Sequence, residues 1–284
     1  MTTPIDLLAS YWTMACGGVP HTDHEYSTAP FAERVAAAAR AGFAGFGIWH
    51  ADLEHTLRGM SLKDMRGILD DNGIRHVEIE FLSDWWLEPG ERRKASDAAR
   101  RRLLEAARVL GARHIKVGDL FNSPVELPVL VEGFAALCRE ARDHGTRILF
   151  EMMPFARINT LADALELVTS ADAPNGGIVF DLWHLVKLGI SHQDAARFPM
   201  RFIGAIEIND GTFTAPWSLF EDTINHRRLC GEGEFDVCGF VAAMLDAGYQ
   251  GPWGIEVLNS ELRKLPPDEI ARRAATTTRA QFPS

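Results

Sequence analysis

Residues 147–184 read RILFEMMPFARINTLADALELVTSADAPNGGIVFDLWH, and this segment decides the fold. Two short apolar runs, 147–152 and 177–182, have the composition of buried β-strands. Between them, LADALELVTS repeats its apolar residues at helical spacing. A strand, a helix and a second strand in this order predict one unit of a parallel sheet with crossover helices.

The same alternation extends along the whole chain. Strand-like runs at 6–9, 46–49, 76–81, 114–118, 202–209 and 254–258 complete a set of eight. Eight such units predict an α/β fold, a single (β/α)8 TIM barrel, with one domain over residues 1–284. A doubly wound open sheet is the alternative, but it usually carries a Gly-rich phosphate loop, and GFAGFG at 42–47 enters a strand instead of opening a helix. Several helical patterns end at glycines typical of C-caps, at Gly42, Gly73, Gly111, Gly145 and Gly248.

Composition limits the classes of partner. The formal net charge is −10, which argues against a nucleic-acid partner, and the basic cluster within residues 92–102 is interpreted as a solvated helix face. No apolar run approaches the roughly 20 residues of a membrane span, and the N-terminal segment does not resemble a secretory signal. The four cysteines lack metal-finger spacing. We therefore expect a cytoplasmic protein with no membrane or nucleic-acid partner.

An acidic residue ends or follows each of the last four strand-like runs. A carboxylate at the end of a buried strand is costly unless something pairs with it. In a barrel, the carboxyl ends of all strands meet at one mouth, so these side chains are expected to converge, together with Glu80 from the third strand. A divalent metal would be a common partner for all four of them: Glu151, Asp181, Glu207 and Glu256.

Several motifs resemble the xylose-isomerase-like superfamily of TIM-barrel sugar isomerases and epimerases, which also includes dehydroshikimate and inosose dehydratases. The motifs are ILFEMMP, FDLWH, IEIND, GEGEFD and GIEV, in that order. The resemblance covers the chain from about residue 41 onward and is clearest after Glu151. It implies an enzyme acting on a small carbohydrate-like substrate, and barrels of this family often form homo-oligomers.

The resemblance also implies four metal ligands, one from the end of each of strands five to eight. By position these are Glu151, Asp181, Glu207 and Glu256. The family often has His at the strand-seven position and some dehydratase-like members have Gln, so Glu207 is a departure. Four carboxylates around one divalent ion leave a net charge near −2, which requires a protonated Glu, compensating cations, or a Glu207 turned away from the metal. An all-oxygen set favours Mn²⁺ or Mg²⁺ over Zn²⁺.

Catalytic and substrate-binding roles follow from the same resemblance. Glu151 and Glu256 match two glutamates that flank the substrate in the epimerases, so they are expected to serve as acid/base pair as well as ligands. His184 in FDLWH resembles a substrate-binding histidine, and Arg228 resembles an arginine that contacts the substrate.

Other residues are candidates by their chemistry. Trp49 and His50 end the second strand and could wall a sugar pocket, as could Trp85 and Trp86, although packing explains tryptophans at loop bases equally well. Lys116 lies within the fourth strand and is a candidate for compensating the carboxylates and for contacting substrate; we expect it to pair with Glu80, which could otherwise bind substrate itself.

Three hypotheses of function remain. The first is a metal-dependent isomerase or epimerase of a sugar or related polyhydroxylated carbonyl compound, acting through an enediolate-type intermediate. The second is a metal-dependent lyase or dehydratase that expels a hydroxyl or glycosidic group from the same intermediate. The third is a catalytically degraded barrel that acts as a partner subunit. An endonuclease IV-like phosphodiesterase is disfavoured because the chain lacks the histidines and the basic face that it needs.

Overall fold

Eight parallel strands close into a barrel in the computed structural model, which describes residues 5–121 and 124–283. Each strand pairs with the next in sequence, and the eighth pairs with the first, as the predicted TIM barrel requires. The predicted domain limits at residues 1 and 284 lie outside the described residues. The strands are β1 Leu7–Ala9, β2 Gly45–Trp49, β3 His76–Leu82, β4 His114–Val117, β5 Arg147–Glu151, β6 Gly176–Asp181, β7 Ile203–Ile208 and β8 Trp253–Ile255.

Helices surround the barrel and connect its strands. All five glycines predicted to end helices have positive φ angles, 65° at Gly111 for example, as C-caps do. Short 3₁₀ helices span Tyr11–Met14, Met200–Phe202 and Leu262–Lys264. In the described part of the chain the α-helices are α1 Phe31–Arg40, α2 His50–Thr56, α3 Leu62–Asp71, α4 Glu91–Leu110, α5 Leu127–Asp143, α6 Leu161–Ala171, α7 Leu182–Lys187, α8 His192–Arg197, α9 Leu219–Asn225, α10 Val237–Asp246 and α11 Pro267–Arg279.

The predicted basic helix face belongs to α4. Its arginines pair with carboxylates of neighbouring segments, such as Arg92 with Asp84 and Arg102 with Glu54. These exposed pairs contribute little to stability. No helix in the described ranges is long and apolar enough to cross a membrane.

The interior of the barrel explains how the acidic residues come together. Side chains alternate between the two faces of a strand, so residues two apart point to the same side. Leu149, Val179 and Ala205 on neighbouring strands form one apolar layer inside the barrel. Two residues further along β5, β6 and β7 the same face therefore carries an acidic layer, which consists of Glu151, Asp181 and Glu207.

Candidate active site

Four carboxylates meet at the carboxyl end of the barrel. Asp181 and Glu207 are register partners on β6 and β7, while Glu256 directly follows β8. One oxygen from each of the four lies within 4.8 Å of the others, and all four residues are buried: Glu151, Asp181, Glu207 and Glu256. Gly254 makes room for this arrangement, because a Cβ there would lie 2.7 Å from Cγ of Glu207.

Lys116 lies at the centre of this cluster. Its side chain is fully buried, and Nζ donates to Oε1 and Oε2 of Glu207, at 2.9 and 3.0 Å, and to Oε1 of Glu256 at 2.9 Å. Oε2 of Glu80 lies 2.8 Å from the same nitrogen, so the expected ion pair with Glu80 is present. Glu151 is more distant, at 3.9 Å. One ammonium therefore links the third, seventh and eighth strands.

Arg227 is the second buried cation of the site. Nη1 donates to Oδ2 of Asp181 at 2.8 Å and to Oε2 of Glu256 at 3.0 Å. Nη2 lies 3.2 Å from Nε2 of His184 and donates to Oγ1 of Thr223 at 2.8 Å. These contacts pair the guanidinium and fix one carboxylate oxygen in each of two predicted metal ligands, Asp181 and Glu256.

Arg228, which we expected to contact the substrate, lies outside the pocket. It is exposed, and its guanidinium donates to the carbonyl of Glu232 at 3.1 Å. Its backbone forms an antiparallel bridge with Asp210, and adjacent residues of extended backbone point to opposite sides. The inward position therefore belongs to Arg227, which the sequence reasoning missed by one residue. Alternation along HRRL, in which His226 and Arg228 share one side, could have indicated this.

The loop around Arg227 is held by Asp210. The Asp210 carboxylate accepts hydrogen bonds from the backbone N–H groups of Gly211, Gly231 and Phe235. Gly233 permits this close approach, because a Cβ there would lie within 2.4 Å of the carbonyl oxygen of Gly211. The GEGEFD motif thus holds in place the loop segment that carries the buried Arg227.

A pocket opens above the carboxylates. Among its polar lining residues are Glu80, Glu151, Glu256, His184 and Arg227. Asp181, Glu207 and Lys116 do not line it, since they lie buried in the layer beneath. Of these five carboxylates, three therefore line the pocket and two lie below it. Its aromatic walls include Trp12, Trp49, Phe81, Phe155 and Phe220.

Of the tryptophans and His50 predicted near the pocket, some line its wall and others only pack against neighbouring side chains. Trp49 lines the pocket, as expected, and stacks near Phe81 at a centroid separation of 6.2 Å. His50 does not line it; its ring contacts Trp49, and Nδ1 accepts a hydrogen bond from the backbone N–H of Phe81. Trp85 and Trp86 are buried in the main core, so their packing interpretation is the better one.

The charges of the site push the pKa values of its carboxyl groups apart. Burial raises the pKa of Glu80 to about 8, and burial together with Glu256 raises that of Glu207 well above its usual value. Burial opposes ionisation of Glu151 and Asp181 too, but other contacts together lower their pKa values: Lys116 and His184 for Glu151, and Arg227, His184 and Asn209 for Asp181. The site therefore combines ionised and neutral carboxyl groups.

The donor set fits a hard divalent cation. The five carboxyl groups of Glu80 and the cluster outnumber the two buried cations, Lys116 and Arg227. This acidic excess, and the approach of four carboxylate oxygens to within 4.8 Å of one another, suit a divalent ion. Glu151, Asp181 and His184 form a second possible group of ligands. The residues that could hold the metal are thus those expected from the sequence, with His184 beside them.

The chain is thus a (β/α)8 barrel with an acidic, partly neutralised site at its carboxyl end. The chain belongs to the family described as xylose isomerase-like TIM barrel, whose profile matches residues 35–281.

Two relatives illustrate the activities within the family. A 3-dehydroshikimate dehydratase of Pseudomonas aeruginosa is 28% identical over 240 residues, which are 82% of this chain and 37% of that protein. The chain therefore spans well under half the length of that relative. An inosose isomerase of Bacillus licheniformis is 26% identical over 186 residues, 62% of this chain and 65% of the relative.

Solved structures agree with the fold. A fusion protein of a xylose isomerase-like TIM barrel and 4-hydroxyphenylpyruvate dioxygenase superposes with a TM-score of 0.83 at 23% identity, covering 97% of this chain and 42% of that one. The IolI protein, solved with a bound zinc atom, gives a TM-score of 0.79 at 18% identity over 98% of both chains. These likenesses support the barrel fold.

Proposed function

We propose that this protein is a divalent-metal-dependent isomerase or epimerase of a small polyhydroxylated carbonyl compound, such as a sugar. The observation that carries this proposal is that Glu151 and Glu256 both line the pocket while belonging to the acidic cluster. Two carboxylates in that position can remove and return a proton beside a carbonyl group. The metal, when bound, would act as a Lewis acid that polarises the substrate oxygens.

Each residue of the chain has a distinct task in this proposal. Glu151 and Glu256 exchange protons with the substrate carbons from two sides of the pocket floor. His184 presents Nε2 toward Glu151, 3.5 Å away, and orients a substrate oxygen by hydrogen bonding. Arg227 keeps Asp181 and Glu256 in place. Trp49 and its aromatic neighbours supply the apolar faces on which sugar rings stack.

A lyase or dehydratase is the second candidate, and Glu80 favours it. Elimination needs an acid that protonates the departing hydroxyl or glycosidic oxygen. Glu80 is a further carboxyl group on the pocket wall, contributed by a different strand from Glu151 and Glu256. The similarity to 3-dehydroshikimate dehydratases is consistent with this chemistry. Because the ligands would be oxygens, we propose Mn²⁺ or Mg²⁺ before Zn²⁺ for either reaction.

Proton NMR in D₂O distinguishes the two reactions. The Mn²⁺-loaded protein would be incubated separately with inosose, 3-dehydroshikimate, D-allulose and D-fructose. Deuterium at a carbon beside the carbonyl, without loss of water, would support the isomerase. An unsaturated product would overturn the isomerase and support the lyase. Glu151→Gln should abolish either signal, whereas Arg228→Gln, at the exposed neighbour of Arg227, should retain it.

A further inference from the structure

The strand-seven carboxylate is held differently from the other three. Glu207 does not line the pocket, and both of its oxygens already accept hydrogen bonds. Oε1 accepts from Oγ of Ser10 at 2.7 Å as well as from Lys116. Three of the roughly four lone-pair directions of a carboxylate are therefore in use on this residue.

Asp181 also accepts three hydrogen bonds, but they come from three separate groups: the backbone N–H of His184, Nδ2 of Asn209 and Nη1 of Arg227. Glu151 lies 3.5 Å from His184 and 3.9 Å from Lys116, both beyond the usual length of a charge-assisted hydrogen bond. Asp181 and Glu256 are paired through Arg227, which binds one oxygen of each. Lys116 binds Glu207 through both oxygens but Glu256 through one. Glu256 accepts from a different cation at each oxygen, whereas Glu207 is, among the described carboxylates of the cluster, the one bound through both oxygens by a single cation.

The contact with Lys116 gives the same division. Glu207 and Lys116 are paired within the buried layer. Adding Glu207 to the ligands would require a buried ion pair to be broken, which is strongly unfavourable.

We infer that Lys116 withholds Glu207 from the metal, so that Glu151, Asp181 and Glu256 are the protein's carboxylate ligands and Lys116 is a positioning residue. This inference rests on the proposed function, since it assumes that the site binds a metal. The inference explains how a glutamate is accommodated on β7: the Glu207 carboxylate is paired with Lys116 and does not bind the metal.

The test is Mn²⁺ binding by the whole chain, measured by calorimetry and by the electron paramagnetic resonance spectrum of the bound ion. The double variant Lys116→Met/Glu207→Leu removes both charges of the pair together. We expect it to keep the wild-type spectrum and to lose no more than about 30-fold in affinity, because the variant also removes the contact of Lys116 with the ligand Glu256 and loss of such support costs about 10–100-fold. Loss of more than about 30-fold, with a changed spectrum, would overturn the inference.

Single variants supply the controls. Lys116→Met alone frees Glu207, so we expect Mn²⁺ to bind at least about 10-fold more tightly and with a changed spectrum, and Lys116→Arg to restore the wild-type values. Unchanged or weaker binding by Lys116→Met would count against the inference. Asp181→Asn should lose Mn²⁺ affinity in the same assay, which shows that the assay detects a lost ligand.

A second measurement does not depend on variants that fold. Anomalous diffraction from Mn²⁺-soaked wild-type crystals would locate the ion, and we expect both Glu207 oxygens to lie beyond the roughly 2.0–2.6 Å of direct ligation. A Glu207 oxygen within that range would overturn the inference while leaving the proposed function intact. Failure of the wild-type protein to bind Mn²⁺ at all would overturn the proposed function and this inference together.

Discussion

Arg227 donates a hydrogen bond of 2.8 Å to Asp181, and both side chains are buried beneath or beside the pocket. The same guanidinium nitrogen reaches Glu256, so one cation holds two carboxylates from different strands. This pairing fixes the orientation of two expected ligands before any metal or substrate arrives. The consequences can be measured one residue at a time.

Replacing Arg227 by Met should lower the free energy of unfolding by about 3–5 kcal/mol, because it leaves buried carboxylates without their partner. Arg228→Met is the matched control, since Arg228 is exposed and adjacent in sequence. Its effect should stay within about 0.5 kcal/mol. Urea unfolding of metal-free protein measures both. Equal effects of the two substitutions would contradict the assignment of Arg227 to the site.

Glu256→Gln should lower kcat at least about 100-fold on whichever substrate the NMR screen identifies, because the substitution removes a proton-transfer group. Glu261→Gln is a suitable control, since Glu261 pairs with Lys264 on the exposed surface. Steady-state kinetics at saturating Mn²⁺ separate a lost acid/base group from weakened metal binding. A Glu256→Gln enzyme with nearly wild-type kcat would exclude Glu256 from the chemistry.

The raised pKa of Glu80, about 8, makes stability depend on pH. Between its ordinary value of 4.5 and about 8, the folded protein binds the Glu80 proton and the unfolded chain does not. The free energy of unfolding of the metal-free protein should therefore fall as pH rises from about 5 to 8. Glu80→Gln should make this dependence shallower in urea titrations. The same slope in both proteins would contradict a protonated Glu80.

The buried pair of Arg34 and Asp52 should be essential for stability away from the site. Its nitrogen–oxygen distance is 2.6 Å with both side chains almost inaccessible, whereas the Arg40–Asp268 pair has the same distance on the surface. Asp52→Asn should cost about 3–5 kcal/mol of unfolding free energy, and Asp268→Asn less than about 1 kcal/mol. Thermal or urea unfolding checks both. Comparable losses of unfolding free energy would show that burial does not determine how much each ion pair contributes to stability.

The barrel could be predicted from sequence because its signals are local and repeated. Apolar runs, helical spacing and terminal glycines recur with each unit, and the structure confirms all eight strands to within a few residues. The acidic layer was predictable for the same reason: alternation on β5–β7 directs Glu151, Asp181 and Glu207 to one face.

The pairing within the site could not be read from the sequence. Lys116 was expected to meet Glu80, but its reach to Glu207 and Glu256 depends on distances across the closed barrel. The choice of Arg227 over Arg228 depends on an antiparallel bridge outside the named strands. Such long-range contacts have no period in the sequence, so only the assembled barrel reveals them.

Metal content is the most direct measurement of whether this acidic site is a metal centre. Purified protein would be stripped with a chelator, incubated with Mn²⁺, freed of excess ion and analysed for bound metal, alongside the Glu151→Gln variant. We predict about one equivalent in the wild-type protein and a large loss in the variant, as an oxygen-ligand site requires. Less than about a tenth of an equivalent in the wild-type protein would contradict the account and favour a barrel that acts without a metal.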